Sequence, residues 1–432
     1  MQRLKKLMRW IGITALVLLF LLVLSAVLLL VPAVQTRVAR ALAETITERT
    51  GAEVRIGSIS ISPYGAIVLT GVHIADLQGD TLFDVADLRV RGIRLHPRAR
   101  VLKISAVEVH DARFALAIDS GAMHSNLTEW IARIAPPDSG STGADWTIRC
   151  TDFLFERVHF SFHDANVAQL PFGVDLKHVD IPDARIKGNG LKVVGDSIMA
   201  ELRSLSFTER SGLVLEKLSG STTASGRGVA VNGMVLRTAY SDLHGELAMR
   251  TSSWADHNRF IEAVDLQLEL DSSLLDFADI AWFAPDLEGI KLPVTLRGTF
   301  SGPIAELKGK GISLSFGERS VFQGNAELSG LPDVANTFML VDIDRARTDQ
   351  NELSHLPIPP FTSGERMVLP AELKQLGTMG FSGRFTGFLR SFTAFGAASS
   401  AMGDLRMDLS YERDTIADKF RVSGRAATNS FN

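Results

Sequence analysis

The sequence predicts a mainly β protein fixed to a membrane by one N-terminal helix, with only a few short helices elsewhere. Three observations carry this. Residues 11–31 form an apolar run with no charged residue. From Gly51 onward, short alternating segments are broken by Gly, Pro, Asn and Asp. Behind the run, helical periodicity returns in one amphipathic stretch and two brief interruptions.

The run is 31 − 11 + 1 = 21 residues long, interrupted only by Gly12, Thr14 and Ser25. As a helix it spans roughly 32 Å, matching a hydrocarbon core of about 30 Å. Arg3, Lys5, Lys6 and Arg9 precede it, and Trp10 stands at the interfacial position. The first acidic residue is Glu44. This positive flank places residues 1–10 in the cytoplasm and everything after Pro32 across the membrane. A cleaved signal peptide has a shorter apolar region, about 7–15 residues, and a small-x-small site. Residues 32–35 (Pro-Ala-Val-Gln) provide no such site.

A length of 432 residues implies several domains or one repetitive one. With 46% hydrophobic and 22% charged residues, the chain has enough apolar surface to fold. The net charge of −4, without a basic run beyond the N-terminal flank, argues against nucleic acid. Cys150 is the single cysteine, so packing alone must stabilise the body.

Residues 34–49 predict a helix with Val34, Val38, Leu42 and Ile46 on one face, ended by Thr50-Gly51. Over 32–50 it is expected to form a stalk joining anchor to body; a coupling helix lying on the membrane is the alternative, against which its polar face carries charges of both signs. Strands are expected at 54–61, 66–74, 81–90, 93–95, 101–109 and 113–118, with Gly92 marking a break or bulge. Asn126 is placed to cap a helix over 126–135, which Pro136-Pro137 stops. These elements make a first β module, 51–137. Residues 138–145 (DSGSTGAD) read as a flexible linker.

A second module, 146–285, opens with Val158, Phe160 and Phe162 alternating with His159, Ser161 and His163. Strands follow at 174–181, 197–207, 213–218, 229–236 and 242–250. Val264, Leu266, Leu268 and Leu270 alternate with Asp265, Gln267, Glu269 and Asp271. Ser272 or Ser273 is then expected to cap a helix over 274–283, ended by Pro285. In the third part, 286–432, Gly298-Thr-Phe300-Ser-Gly302 recurs as Gly383-Arg-Phe385-Thr-Gly387. Each copy leads into an alternating strand, Ile312, Leu314 and Phe316 in one, Leu405, Met407, Leu409 and Tyr411 in the other. Repetition of this kind predicts an array of similar β units.

Most of these strands have one apolar and one polar face. Two short helices cannot cover so much sheet. Sandwiches, barrels, and an open sheet curled round a guest all satisfy the pattern. The candidate lining of a trough is Val158, Phe160, Phe162, Val264, Leu266, Leu268, Leu270, Phe300, Phe385, Leu405, Met407 and Leu409. Each would equally serve as a sandwich core residue.

No catalytic constellation is present. Gly-x-Ser-x-Gly, a phosphate-binding loop and HExxH are all absent. Gly188-Asn-Gly190 and Gly226-Arg-Gly228 read as turns. His159 and His163 would stand about 13 Å apart on a strand, too far to share a metal. With His178 they read as solvent-facing. Asp342-Ile-Asp344 reads as a strand end. The expectation is a non-enzyme without cofactor or metal.

The order of features resembles a family. Val54-Arg-Ile56-Gly-Ser-Ile59-Ser-Ile61-Ser-Pro63 and Leu69-Thr-Gly71-Val72-His-Ile74-Ala-Asp76 look like the start of AsmA/TamB-type proteins. Asn126-Leu-Thr-Glu-Trp-Ile131, Asp279-Ile-Ala-Trp-Phe283-Ala-Pro285 and Leu328-Ser-Gly330-Leu331-Pro332-Asp333 fit the same pattern. The likeness is closest to the TamB-like branch of the Bacteroidota. It implies an elongated, curled antiparallel β-groove in the periplasm of a Gram-negative bacterium, related to chorein-type bridge proteins. It implies passage of phospholipid acyl chains from the inner to the outer membrane, with an outer-membrane barrel of the TamA/BamA kind as partner. The alternative role in that family is assembly of outer-membrane β-barrel proteins. Members of the branch are longer, and residues 430–432 carry no helix, proline or charge to blunt an open strand. The natural chain is therefore expected to continue past Asn432, or a second chain to dock there.

Overall fold

The computed structural model describes residues 31–62, 65–134, 146–252, 259–358, 361–369, 375–414 and 419–428. The transmembrane assignment to 11–31, apart from Val31, lies outside these residues, as do Arg3, Lys5, Lys6, Arg9, Trp10 and the 138–145 linker. Among the described residues no helix is long and apolar enough to cross a membrane. The chain is mainly β and divides into two compact units, Met1–Ala168 with Lys177–Gly195, and Gln169–Leu176 with Asp196–Asn432.

Unit 1 begins with helix α1 (Pro32–Thr50), closed by Gly51 in the left-handed conformation. Strands β1 (Val54–Ile61), β2 (Ile67–Ala75), β3 (Thr81–Arg91) and β4 (Arg94–His96) follow. Then come β5 (Val101–Ile118), helix α2 (Asn126–Ile134), β6 (Thr147–Asp164) and β7 (His178–Val194). The sheet runs β1-β2-β3-β5-β6-β7, with β4 continuing β3 alongside β5 beyond the break at Gly92.

Two features depart from the sequence reading. Residues 101–118 form one strand rather than two. The pair β5–β6 is parallel, not antiparallel, and α2 lies in the crossover connection between the two strands that such a pair requires. Left-handed residues at Gly71, Asp111 and Arg157 interrupt β2, β5 and β6. Each resets the side-chain alternation, so Val54 and Ile56 share a face with Ile59 and Ile61 despite the odd spacing.

Sequence periodicity put Val34, Val38, Leu42 and Ile46 on one face of the stalk, and the structure leaves Val38, Leu42 and Ile46 of that face exposed. The structure packs the other flank: Gln35, Ala39 and Ala43 are buried, whereas those three apolar residues are 48%, 61% and 42% exposed. The reason is the free edge of β1. The Gln35 amide donates to the Ile61 carbonyl (3.1 Å) and accepts from the Ile61 N–H (2.7 Å). Thr36 does the same for Ile59 at 3.2 and 3.1 Å. Arg40 donates to the carbonyls of Ile56 (3.1 Å) and Gly57, and Thr47 accepts from the Val54 N–H at 2.9 Å. Polar side chains of a helix thus stand in for a missing strand. Gln35→Ala is expected to lower stability by about 1 kcal/mol and to speed hydrogen exchange at the Ile61 amide. Unchanged exchange there would show that the helix does not protect the edge.

Asn126 does not cap α2 in the expected way; Ser125 accepts from the Thr128 N–H. Asn126 instead ties the helix to β5, accepting from the Ala117 N–H (3.0 Å) and donating to Asp76 (3.1 Å).

Unit 2 is antiparallel throughout. Its strands are β8 (Ser197–Thr208), β9 (Val214–Ser225), β10 (Gly228–Thr238), β11 (Asp242–Arg250), β12 (Asp265–Asp276), β13 (Pro293–Gly302) and β14 (Glu306–Phe316). They continue through β15 (Ser320–Ser329), β16 (Phe338–Asp349), β17 (Thr378–Phe388), β18 (Ser391–Ser400), β19 (Gly403–Asp414) and β20 (Lys419–Thr428). Each pairs with the next in chain order. Every ladder from β8–β9 to β16–β17 contains a register shift, and the three beyond have none. Bulges repeated at neighbouring positions bend and twist a sheet, which is how this one curls while staying open. Among the described residues β20 pairs on one side only. It carries Lys419, Arg421 and Arg425, charges of the kind that blunt an edge.

The helix expected at 274–283 is present but starts later and is shorter. β12 runs to Asp276, and only Phe277–Ala281 is helical (α3), capped by Asp276 rather than Ser272 or Ser273. The bulge between Leu270 and Ser273 shifts the alternation and imitates a helical spacing. Ser273 is buried, accepting from the His244 N–H and donating to the His244 carbonyl. Likewise 174–177 precedes β7 as irregular chain ending in a turn at 176–177, and Gly188-Asn-Gly190 lies inside β7. Asp342 and Asp344 fall inside β16, not at its end.

A one-turn helix after β16, α4 (Gln350–Leu353), supplies an anchor. The Glu352 carboxylate accepts from the Glu318 N–H (2.6 Å), the Arg319 N–H (2.8 Å) and the Ser320 hydroxyl, closing the β14–β15 turn. Burial pushes this carboxyl up, but the hydrogen bonds from Ser320 and the backbone amides hold it net below the usual glutamate value. A depressed folded-state value means the stabilisation is complete above the unfolded glutamate's titration and is lost as pH falls through the folded one. Glu352→Gln should cost about 1–2 kcal/mol at neutral pH. Its melting temperature should converge with that of the parent in acid, and a gap independent of pH would refute the assignment.

Candidate functional site

The two sides of each sheet differ in chemistry. In unit 1 one side carries cross-strand charge pairs. His73 meets Asp84 at 3.0 Å, His159 meets Asp180 at 2.6 Å, and His110 meets Glu156 at 3.3 Å. Arg157 grips Asp111 through two bonds of 2.6 and 2.8 Å, and these hold the carboxyl below its ordinary value. His159 is therefore paired rather than free. His178 is buried at 4% exposure, its ring edge-on to His163 with centroids 4.6 Å apart, so the solvent-facing reading fails for it. It fails because cross-strand neighbours, not the local pattern, decide which histidine is covered.

The opposite side of unit 1 is apolar. Val158 pairs with Ala112 and Ala184, Phe160 with Phe114 and Ile181, and Phe162 with Leu116 and Val179. Phe114 stacks edge-on against Phe83 at 5.2 Å.

In unit 2 the apolar side is continuous. One row at constant register crosses ten strands: Leu247, Leu268, Phe300, Gly309, Ala326, Val341, Phe385, Ala394, Leu409 and Gly424. The adjoining row alternates large and small. Met234 faces Gly245, which faces Leu270, then Gly298; Ile312 faces Gly324, then Ile343, then Gly383. The glycine repeat seen in the sequence at 298 and 383 belongs to this row, whose unit is two strands. A Cβ at Gly324 would intrude on the carbonyl of Asp342, 3.1 Å from its carbon and 3.2 Å from the Ile343 Cα. The glycines let the bulged neighbours seat Met234, Leu270 and Ile312 in the floor. No charged side chain stands in either row.

The sequence-derived lining residues separate into three kinds. Leu266, Leu268, Phe300, Phe385, Leu405, Met407 and Leu409 are half-buried on this one side. Leu270, at 3% exposure, is floor, and Val264, at 2%, is sealed just before β12. Val158, Phe160 and Phe162 belong to unit 1. Sequence reasoning missed Val341, since the flanking aspartates of 342 and 344 drew attention instead. Asp342 points to the polar side, where Arg384 binds it. It did not assign Phe392 and Tyr411 to the lining, although they extend it, Phe392 lying 4.6 Å from Phe385 and 4.9 Å from Tyr411.

From β9 to β15 the side chains pack on one another into a cluster around Val231, Met234, Leu270, Val294, Leu296 and Ile312. From β16 to β19, Val341, Phe385, Leu405, Met407 and Leu409 stay half-exposed. A second sheet about 10 Å away would bury them. The class so defined is an open, curled β-sheet with one solvated face and one uncovered apolar face. No family model matches the chain, and no curated protein or solved structure matches it.

Proposed function

We infer that this chain is an inner-membrane-anchored periplasmic β-groove protein that conducts phospholipids between the inner and outer membranes. The observation supporting this is the unbroken apolar face of β10–β19. Acyl tails slide along it while headgroups stay in water. Burying about 14 methylenes at roughly 0.8 kcal/mol each offsets on the order of 11 kcal/mol of exposure to water. The large–small row repeats every two strands from β11 to β17, about every 9.6 Å. Similar surface recurring at that interval holds a tail no more firmly at one step than at the next, which suits passage over storage. The order of sequence motifs shared with AsmA/TamB-type proteins supports the same reading, and no covalent chemistry is required.

Native mass spectrometry of the purified full chain tests it. Co-purified phospholipid is the expected result. Empty protein overturns the reading, and a bound barrel-protein precursor replaces it with the assembly role.

A further inference from the structure

The exposed flank of α1 is the strongest feature left without a role. Val31, Val38, Leu42 and Ile46 form an apolar line along the helix, 41%, 48%, 61% and 42% exposed. The helix cannot roll to hide them, because Gln35, Thr36, Arg40 and Thr47 are bonded to the backbone of β1. Their side of the sheet is also set. Arg40, Glu44 and Glu48 share a cleft of about 680 Å³ with Arg55 and His73, on the charged side. His73 pairs with Asp84 on that side. Val38, Leu42 and Ile46 occupy the flank of α1 opposite Arg40 and Glu44, hence toward the apolar side. They extend the apolar face of unit 1 past its edge strand.

What covers this line follows from its connection. It starts at Val31, the last residue of the 21-residue apolar run. Resting on the reading that 11–31 spans the membrane, we propose that this flank of α1 lies in the lipid interface of that same membrane, so that the apolar face of unit 1 opens onto the acyl region of the leaflet. The occupant is the bilayer itself. The helix carries Arg37, Arg40 and Arg49 against Glu44 and Glu48, and Arg40 is bonded to β1 carbonyls, so attachment rests on apolar burial more than on anionic lipid.

The test uses the full chain in phosphatidylcholine vesicles, with an environment-sensitive nitrobenzoxadiazole label on a single introduced cysteine; native Cys150 is buried. Labels at Leu42→Cys and Val38→Cys should be quenched several-fold more by 5-doxyl phosphatidylcholine than one at Glu48→Cys. The difference should survive 0.5 M salt, since screening at that strength removes surface charge attraction. Equal quenching at all three sites overturns the proposal. So does a blue-shifted label at Leu42 that doxyl lipid cannot quench, which would mean a protein surface, such as a second copy, covers it. A label at Met407→Cys separates this from the conduit reading. Quenching there with none at Leu42 sinks only the interfacial helix, and the reverse sinks only the conduit.

Discussion

Gly324→Val is expected to lower the melting temperature of unit 2 by roughly 6–12 °C, the equivalent of about 3 kcal/mol for a unit of this size. Gly324 is buried in β15 between Ile312 and Ile343, and a Cβ there meets backbone rather than a yielding side-chain tip. The strand must move away from β16 or lose hydrogen bonds to it. Gly311, close by in the β14 bulge, is the control. Nothing lies within 4 Å of a Cβ there, but its φ is 58°. Gly311→Ala should therefore cost only the left-handed penalty, about 1–2 kcal/mol. Calorimetry of both variants decides the matter. If valine at 324 is no worse than alanine at 311, close strand approach is not what shapes this sheet.

Leu409→Asp is expected to reduce co-purified phospholipid by about tenfold or more while leaving the protein folded and exported. A carboxylate in the path of an acyl tail must lose water or turn the tail away, at several kcal/mol, and 1.4 kcal/mol is already tenfold. Leu409 is half-exposed on β19, so the variant need not disturb a core. Leu268→Asp, at another of the lining residues expected from the sequence, is a poorer probe because Leu268 packs against the central cluster. Ser410→Asp places the same charge on the opposite face of the same strand and should leave lipid content unchanged. Lipid analysis of the three purified proteins, with circular dichroism as the folding check, reads out the result. Undiminished lipid in Leu409→Asp would show that the apolar face is not the path.

Sequence by itself determined the class of the chain and most of its strands. Alternation is a local property, so β1, β11 and the start of β12 stand where the pattern puts them. Gly298 and Gly383 announced a repeat because close strand approach excludes a Cβ. Tertiary structure alone decided which alternating residues share a face. A single left-handed residue or bulge flips the phase, as at Gly71, Arg157 and Leu270–Ser273, and local pattern cannot say on which strand that happens. It also decided that β5 and β6 run parallel, that α1 turns Gln35, Ala39 and Ala43 inward, and that Phe385 and Leu409 stay half-exposed among the described residues. Those outcomes depend on hydrogen-bond donors and acceptors of distant segments, at Ile59, Ile61 and along β18, which no local window of sequence contains.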